Sequence, residues 1–397
     1  MSMSPRPQAS AQADFLKNPR TLSPSDCLDE VLAGPQEPTP IPPAGLPIYL
    51  YGAGRLGKLI LPVLRKYGHA PAVLLDANRS LQGTAIEGLP VLVPDEVPVA
   101  IRARTLVLVC VVTAPYEPIE RSLKAAGFVH VWPLYDFIDT LQPPPMLNGW
   151  RWGDVSREDE AAIRDVYRGL ADATSRAHYV QMLAWRIRRW EVGFPDAPVL
   201  LDDKYFPAGI VPLLAEENVL DAGAYDGTFL KIARRAMGER LQAYLGLEPD
   251  PDNFTVLEKF VRSWEGALAA QLLPCALAGR QGKRGFLANG MASRMLEQGE
   301  ADFEADTLTL DDLTERFAAT YVKLHLEGME LPVLRSGLRY LRRHRPVLVV
   351  TAYHNRDGLY ALYHQLAGHL PDYRYHFRLH GFSGNSAYLY AVPVERG

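Results

Sequence analysis

Two acids and two glycines, set between residues 218 and 250, carry the first recognisable chemistry in this chain. Asn218-Val219-Leu220-Asp221-Ala222-Gly223-Ala224-Tyr225-Asp226-Gly227 reads as a short apolar strand running into an acidic glycine loop. After an amphipathic segment the chain returns as Ala243-Tyr244-Leu245-Gly246-Leu247-Glu248-Pro249-Asp250, a second strand with an acid at its end. In an open α/β sheet, ligands sit at the carboxyl ends of the strands. Acids at two successive strand ends there suit a ligand that carries a ribose and a positive charge. Gly223 and Gly227 would let the backbone approach it, and Asp221 would accept from an ammonium group where a pyrophosphate would be repelled. Glu248 would accept from both ribose hydroxyls, Asp250 would reach an adenine edge, and Ala224, Tyr225 and Asp226 complete the loop. S-adenosylmethionine has these features. Helix capping alone would explain Asp221 and Asp226, but it would leave Glu248 unexplained.

A second constellation lies downstream in Lys323-Leu324-His325-Leu326-Glu327-Gly328. Alternation along a strand turns residues 323, 325 and 327 to one face, so His325 and Glu327 would stand side by side near the strand's end. The next strand should be a neighbour, and it ends at Thr351-Ala352-Tyr353-His354-Asn355. His325, Glu327 and His354 would then converge, and an imidazole near its natural pKa suits removal of a hydroxyl proton. A buried structural histidine is the plain alternative for His325, and a loop histidine for His354. These three are also acceptable metal ligands, but no short-spaced ligand motif accompanies them, so no metal is expected.

A third candidate opens the first folded unit. Ile48-Tyr49-Leu50-Tyr51-Gly52-Ala53-Gly54-Arg55-Leu56-Gly57 is a strand entering a Gly-x-Gly-x-x-Gly turn and then a helix, and a second strand ends at Asp76. Gly52, Gly54, Gly57 and Asp76 stand close to the spacing of a dinucleotide fingerprint with its ribose acid. The same glycines would also serve tight strand-to-helix packing with no nucleotide bound. No Ser-Tyr-Lys or Cys/His arrangement accompanies them, so redox chemistry on NAD is not expected.

The elements that must position these groups divide the chain into four parts. Residues 1–46 are rich in Pro, Ser, Gln and Ala and end in Pro38-Thr39-Pro40-Ile41-Pro42-Pro43, a composition that favours extended chain. Within them, Ser23-Pro24-Ser25-Asp26 is a helix start before Leu28, Val31 and Leu32, a piece able to dock on a neighbour. Residues 47–142 alternate strands and helices as a small Rossmann-like unit. Residues 143–200 form a helical linker, with apolar stripes Ile163, Val166, Tyr167, Leu170 and Val180, Leu183, Ile187, Trp190. Beside the second stripe, Arg186, Arg188 and Arg189 read as a solvated face. Residues 201–397 alternate again and close in a hairpin, Tyr373–Arg378 with Ala387–Val392. One helix is expected from Asp252 to Trp264 and another from Met329 to Arg343. The segment from Leu201 to Pro207, aromatic and acidic, would suit a lid.

Bulk properties narrow the functions further. A chain of 397 residues exceeds one ordinary core. With 48% hydrophobic and 22% charged residues and a net charge of -4, it has no basic stripe for nucleic acid. The compact basic cluster Arg342-Arg343-His344-Arg345 falls at a helix end, where cations favour the dipole. Cys27, Cys110 and Cys275 lack pairing or ligand spacing and read as reduced thiols. Neither a signal peptide nor a membrane-length apolar run is present, so a cytoplasmic protein is expected.

Two resemblances follow from these motifs. Gly52 to Gly57, Leu75-Asp76 and Gly83-Thr84-Ala85-Ile86-Glu87-Gly88-Leu89-Pro90-Val91-Leu92 resemble the nucleotide-binding N-terminal domain of the sugar O-acyltransferases that modify bacterial amino sugars. That resemblance implies a nucleotide or nucleotide-sugar as a second ligand; no acyltransferase repeat follows. Val219 to Gly227, Leu247 to Phe254, Cys275-Ala276-Leu277-Ala278, Thr309-Leu310-Asp311-Asp312-Leu313 and Lys323 to Leu334 are similar, in this order and spacing, to the FkbM methyltransferases. What this implies is an α/β class I methyltransferase sheet, doubly wound and ending in an antiparallel hairpin. It also implies S-adenosylmethionine as donor and a hydroxyl acceptor on a glycan precursor or secondary metabolite. By resemblance Asp221, Gly223 and Gly227 hold the methionine end, Glu248 the ribose, and a turn at Cys275 to Leu277, through Ala276, the adenine. His325 stands where the family usually has Asp in Lys-x-Asp-x-Glu-Gly. That departure motivates the alternative of a non-catalytic nucleotide- or nucleotide-sugar-binding protein with a degenerate methyltransferase domain. The expected partner is a small-molecule or glycan acceptor, with a homo-oligomer left open and neither nucleic acid nor membrane involved.

Overall fold

The computed structural model describes residues 22–33, 41–263 and 268–396. Most of the proline-rich segment, including Pro38 and Pro40, and Trp264 at the end of its expected helix lie outside the described residues.

The first sheet contains β1 (Ile48–Tyr51), β2 (Val73–Leu75), β3 (Ala85–Ile86), β4 (Leu89–Leu92), β5 (Leu106–Val109) and β6 (His130–Pro133), in the order β3-β4-β2-β1-β5-β6. All pairings are parallel except β3 with β4. Alternation decides the two faces: Ile48 and Leu50 join one core with Ile60, Leu61 and Leu64 of the helix Arg55–Lys66. Tyr49 turns to the other core, with Tyr116 and Leu123 of the helix Tyr116–Ala125. Burial on both faces explains why β5 is apolar without interruption.

In the second half the chain forms β7 (Glu217–Ala222), β8 (Leu241–Leu247), β9 (Ala269–Leu273), then four short strands, β10 (Cys275–Leu277), β11 (Gly282–Leu287), β12 (Arg294–Met295) and β13 (Phe303–Leu308). It ends with β14 (Tyr321–Leu324), β15 (Val347–Thr351), β16 (Tyr373–Leu379) and β17 (Ala387–Pro393). The main sheet has the order β16-β17-β15-β14-β7-β8-β9. Strands β7, β8, β9, β14 and β15 run parallel, and β17 lies antiparallel to both β15 and β16. The four short strands make a separate sheet, β10-β13-β11-β12. The turn expected at Cys275 to Leu277 is therefore a strand, β10, paired parallel to β13.

Val219, Val347 and Val349 face a core with Phe229, Leu230 and Ala233 of the helix Thr228–Met237. Leu220, Ala222, Leu348 and Val350 face the larger core on the other side. There the expected helix from Met329 to Arg343 is broken into Glu330–Arg335 and Leu338–His344. Gly337 sits at the break, where a Cβ would come within 2.7 Å of the Leu310 side chain. The helix Pro24–Ala33 buries Cys27, Leu28 and Val31 in the same core.

The arginine run of the linker is a correction. The helix Ala173–Leu183 opens into a π-helical turn over Ala184–Arg188 and stops at Arg189, whose φ is 56°. This swings Arg186, Arg188 and Arg189 inward, and all three are buried. Arg186 donates to the carbonyls of Asn148, Trp150, Tyr353 and Gly384 at 2.6 to 3.1 Å. Arg188 donates to Val31 O at 2.8 Å, and Arg189 clamps the Asp136 carboxylate at 2.9 and 3.0 Å. These contacts tie the first sheet's last helix, the linker and the terminal hairpin to one another. Among the described residues no helix is long and apolar enough to cross a membrane.

Candidate active site

The main sheet reverses its order between β7 and β14: β8 and β9 follow on one side of β7, β14 and β15 on the other. A cleft opens there, at the carboxyl ends of these strands, the position such a switch point dictates. The loop after β7 forms one wall and contributes Gly223, Ala224, Tyr225 and Asp226.

Loop shape comes from internal packing. Gly223 and Gly227 have φ of 76° and 83°, the left-handed region that favours glycine. A Cβ on Gly223 would lie 2.1 Å from His325 O, and one on Gly227 2.5 Å from the Phe260 ring. Both glycines are thus demanded by their neighbours in the fold, whether or not a ligand also approaches them. Tyr225 adopts φ of 53° without being glycine, a strained backbone of the kind that persists where surrounding structure holds it. Its N–H donates to Glu248 Oε2 at 2.8 Å.

Asp221 lies behind this wall and does not line the cleft. It is fully buried, accepting from Lys323 Nζ at 2.9 Å and from Tyr244 OH at 2.7 Å. Lys323 also donates to Gly223 O at 2.6 Å. Burial by itself would lower the lysine's pKa, but the Asp221 carboxylate more than offsets it and the net shift is upward. A fixed positive charge therefore underlies the loop, and Asp221 neutralises it.

Glu248, at the end of β8, does face the cleft. Burial raises its pKa to about 7, against the backbone N–H groups of Asp250 and Tyr225, which donate to it at 3.0 and 2.8 Å. Asp250 caps the helix Pro251–Arg262, accepting from the N–H groups of Asp252 and Asn253, and takes the Ser293 hydroxyl at 2.6 Å. Its carboxylate is committed to the scaffold and not to the adenine edge expected from its place in the sequence. Ala276 and Leu277 of β10, with Phe286 and Met295, supply an apolar wall beside Glu248. The residues present therefore fit a cofactor with a ribose and a flat apolar base: a carboxylate with lone pairs to spare, next to an apolar slot.

His325, Glu327 and His354 do come together at the floor. β14 ends at Leu324, so His325 and Glu327 project from the turn beyond it, and strand alternation is not what aligns them. Glu327 takes φ of 49°, which turns its carboxylate back toward His325. Nε2 of His325 lies 3.1 Å from Glu327 Oε1, and Nε2 of His354 3.4 Å from the same oxygen. On its far side His354 Nδ1 faces Glu330 Oε1 at 3.2 Å. Glu330 is itself held by the N–H groups of Leu326 and Gly328 and by the Thr351 hydroxyl. Burial lowers the His325 pKa to about 4 in spite of Glu327. For His354 burial acts the same way, but the Glu327 and Glu330 carboxylates outweigh it and carry the pKa up to about 10. His325 and Glu327 line the cleft, while His354 sits behind them.

The glycine turn of the first sheet is set by packing at two of its three glycines. Asp76 accepts from Ala53 N–H and Asn78 N–H, both at 2.8 Å, so it braces the turn. A Cβ on Gly57 would fall 2.0 Å from Gly52 O, and one on Gly52 2.8 Å from the Val111 side chain. Gly54 alone of the three has nothing within 4 Å. The next residue, Arg55, reaches the cleft of the main sheet.

Arg55, Phe229, Lys323 and Glu330 are not among the sequence candidates, and Lys204 and Tyr205 enter only as part of the segment expected to form a lid. Lys323 was within reach, because it shares the alternating pattern with His325. Glu330 gave no signal of its own, since its role depends on a fold that brings β15 beside the turn. Lys204 and Tyr205 form part of the cleft wall, and Tyr205 is buried against Phe229 and Tyr388.

Residues 221–377 match a family model described as the Methyltransferase FkbM domain. Among solved structures, the chain is similar to a methyltransferase FkbM from Methylobacillus flagellatus KT, with a TM-score of 0.61 and 19% identity over 97% of this chain and 98% of the other. That likeness is one of fold, mixed α/β with parallel sheets. The N-terminal domain of human METTL16 in complex with SAH aligns over 44% of this chain and 60% of its own, at 12% identity and a TM-score of 0.27. No protein of curated function matches the chain.

Proposed function

We propose, from the FkbM methyltransferase domain at residues 221–377, that this protein transfers a methyl group from S-adenosylmethionine to a hydroxyl of a small molecule or glycan precursor. The observation that carries this reading is Glu248, a buried carboxylate at the second strand end, facing an open cleft beside the apolar residues Ala276 and Leu277. In this reading Glu248 accepts from the ribose hydroxyls, and the Ala276–Phe286 wall packs on the base. The loop from Gly223 to Asp226 encloses the amino-acid end. When bound, the cofactor supplies an electrophilic methyl group on a sulfonium.

The rest falls to the chain. The acceptor hydroxyl must reach the floor, and its proton must leave as the new O–C bond forms. His325, neutral at physiological pH, donates Nε2–H to Glu327 and would accept that proton at Nδ1, with Glu327 fixing the ring and balancing the charge that develops. Arg55 brings a positive charge to the same cleft from the first sheet, which suits an acceptor linked to a nucleotide through phosphate. The direct test is calorimetry with S-adenosylmethionine and S-adenosylhomocysteine. Binding of both, weakened at least tenfold in Glu248→Ala, is expected; no heat with either ligand would sink the proposal.

A further inference from the structure

At the cleft floor two buried atoms, Glu327 Oε2 and His354 Nε2, have no hydrogen-bond partner among the described residues. Their side chains are 9% and 1% exposed. Leaving such atoms unmatched costs free energy unless something else occupies the space between them. His325, Glu327 and His354 can each place one ligand atom so that all three lie within 4.8 Å of one another. The observed separations, 3.1 and 3.4 Å, match the edges of a coordination polyhedron with metal–ligand distances of roughly 2.1 Å.

The surroundings add an independent argument. A metal-bound histidine nearly always gives its other ring N–H to a carboxylate or carbonyl, which fixes tautomer and orientation. His354 does this: with Nε2 toward the cluster, Nδ1 meets Glu330 Oε1 at 3.2 Å. Glu330 is in turn anchored by two backbone N–H groups and the Thr351 hydroxyl, and makes no approach to the cleft. Glu327 holds its position only by accepting a left-handed backbone, φ of 49°. Such strain accumulates at functional sites.

We propose that His325 Nε2, Glu327 and His354 Nε2 bind a divalent first-row transition metal ion at the floor of the cleft, leaving its remaining coordination positions open to the acceptor. Two histidines and one carboxylate with open positions suit Zn(II), Mn(II), Fe(II) or Co(II). Such an ion would lower the pKa of an acceptor hydroxyl and orient it, replacing the imidazole as the means of deprotonation; that role rests on the methyl-transfer reading, whereas the site does not. The three residue types suit a metal, but no short-spaced motif announces the site in the sequence, because the third ligand arrives 27 residues after Glu327, beyond the end of another strand.

The test uses the full chain, stripped with a chelator and titrated with Co(II). Visible absorption follows the ligand field, calorimetry the heat and proton release, and S-adenosylhomocysteine binding is measured in parallel on the stripped protein. One Co(II) per chain with visible d–d bands is expected, weakened at least 100-fold in Glu327→Gln and in His325→Asn, each checked for an intact thermal transition. Absence of Co(II), Zn(II) and Mn(II) binding in protein that still binds S-adenosylhomocysteine would overturn the metal site and leave the methyl-transfer reading intact. Metal binding equal in both variants and wild type would also overturn it, by placing the ion elsewhere. Metal binding at the cluster without S-adenosylhomocysteine binding would support the site and remove the methyl-transfer reading.

Discussion

Lys323 Nζ lies 2.9 Å from Asp221 Oδ1, with the lysine side chain 3% exposed and the aspartate sealed from solvent. The pair links β7 to β14 directly beneath the glycine loop, so the strand-end acid that first marks the site in the sequence serves to neutralise a lysine. Removing one partner of such a pair leaves a buried charge, at a cost of roughly 3–5 kcal/mol. Asp221→Asn should therefore lower the melting temperature sharply, and the double variant Asp221→Leu/Lys323→Met should recover much of the loss. Measured below its transition, the single variant should bind S-adenosylhomocysteine within a few-fold of wild type. A hundredfold loss there would return Asp221 to the ligand.

Glu248 makes ligand binding depend on pH. Its pKa in the folded protein is raised to about 7, above the ordinary carboxylate value, because burial disfavours the charge. Ribose hydroxyls donate best to the ionised form, so binding of S-adenosylhomocysteine should tighten as pH rises from 6 to 8 and should release a proton. For stability the sign is opposite. The unfolded carboxyl ionises near its ordinary value while the folded one does not, so the stability this group contributes falls as pH rises from about 4.5 to about 7. Glu248→Gln should flatten both dependences, as read by calorimetry in two buffers and by melting curves across that range.

The first glycine turn separates packing from ligand approach. Gly57→Ala would drive a Cβ to 2.0 Å from Gly52 O, whereas Gly54→Ala meets no atom within 4 Å. Gly57→Ala should cost upwards of about 2 kcal/mol or fail to give soluble protein, as overpacked sites do. Gly54→Ala should stay within about 0.5 kcal/mol of wild type. If a nucleotide approaches this turn, Gly54→Ala should abolish its stabilisation in a thermal-shift experiment; on packing grounds it should change nothing.

Much of this architecture is legible from pattern. The alternation of β1 and the unbroken apolar run of β5 announce a parallel sheet, and the hairpin of β16 and β17 is visible as two apolar runs. Glu248, too, follows from its place at a strand end. What stays hidden depends on tertiary neighbours. Arg186 and its companions read as a solvated charge run because a π-helical turn cannot be seen in composition. Only the fold brings the carbonyls of Asn148, Trp150, Tyr353 and Gly384 to one guanidinium. Strand alternation predicts convergence at the floor, yet the residues meet in the turn beyond β14, where Glu327 is left-handed. Glycines 223 and 227 sit where a binding motif would put them, but the clashes that require them lie with His325 and Phe260, far away in sequence.

Arg55 decides whether the two sheets share one task. It follows the glycine turn of the first sheet, is exposed, and lines the cleft of the second alongside Tyr225. Being exposed, it contributes little to folding, so Arg55→Ala should leave the melting temperature nearly unchanged. If its charge meets an anionic acceptor, that variant should raise the acceptor KM by roughly tenfold, about 1.4 kcal/mol, with kcat largely preserved. Arg55→Glu should raise KM further, and the gap between wild type and both variants should shrink with added salt, as screening of an exposed charge requires. An effect on donor affinity instead of acceptor KM would place the donor's negative end near Arg55. No effect on either would leave the first sheet without a part in the chemistry of the second.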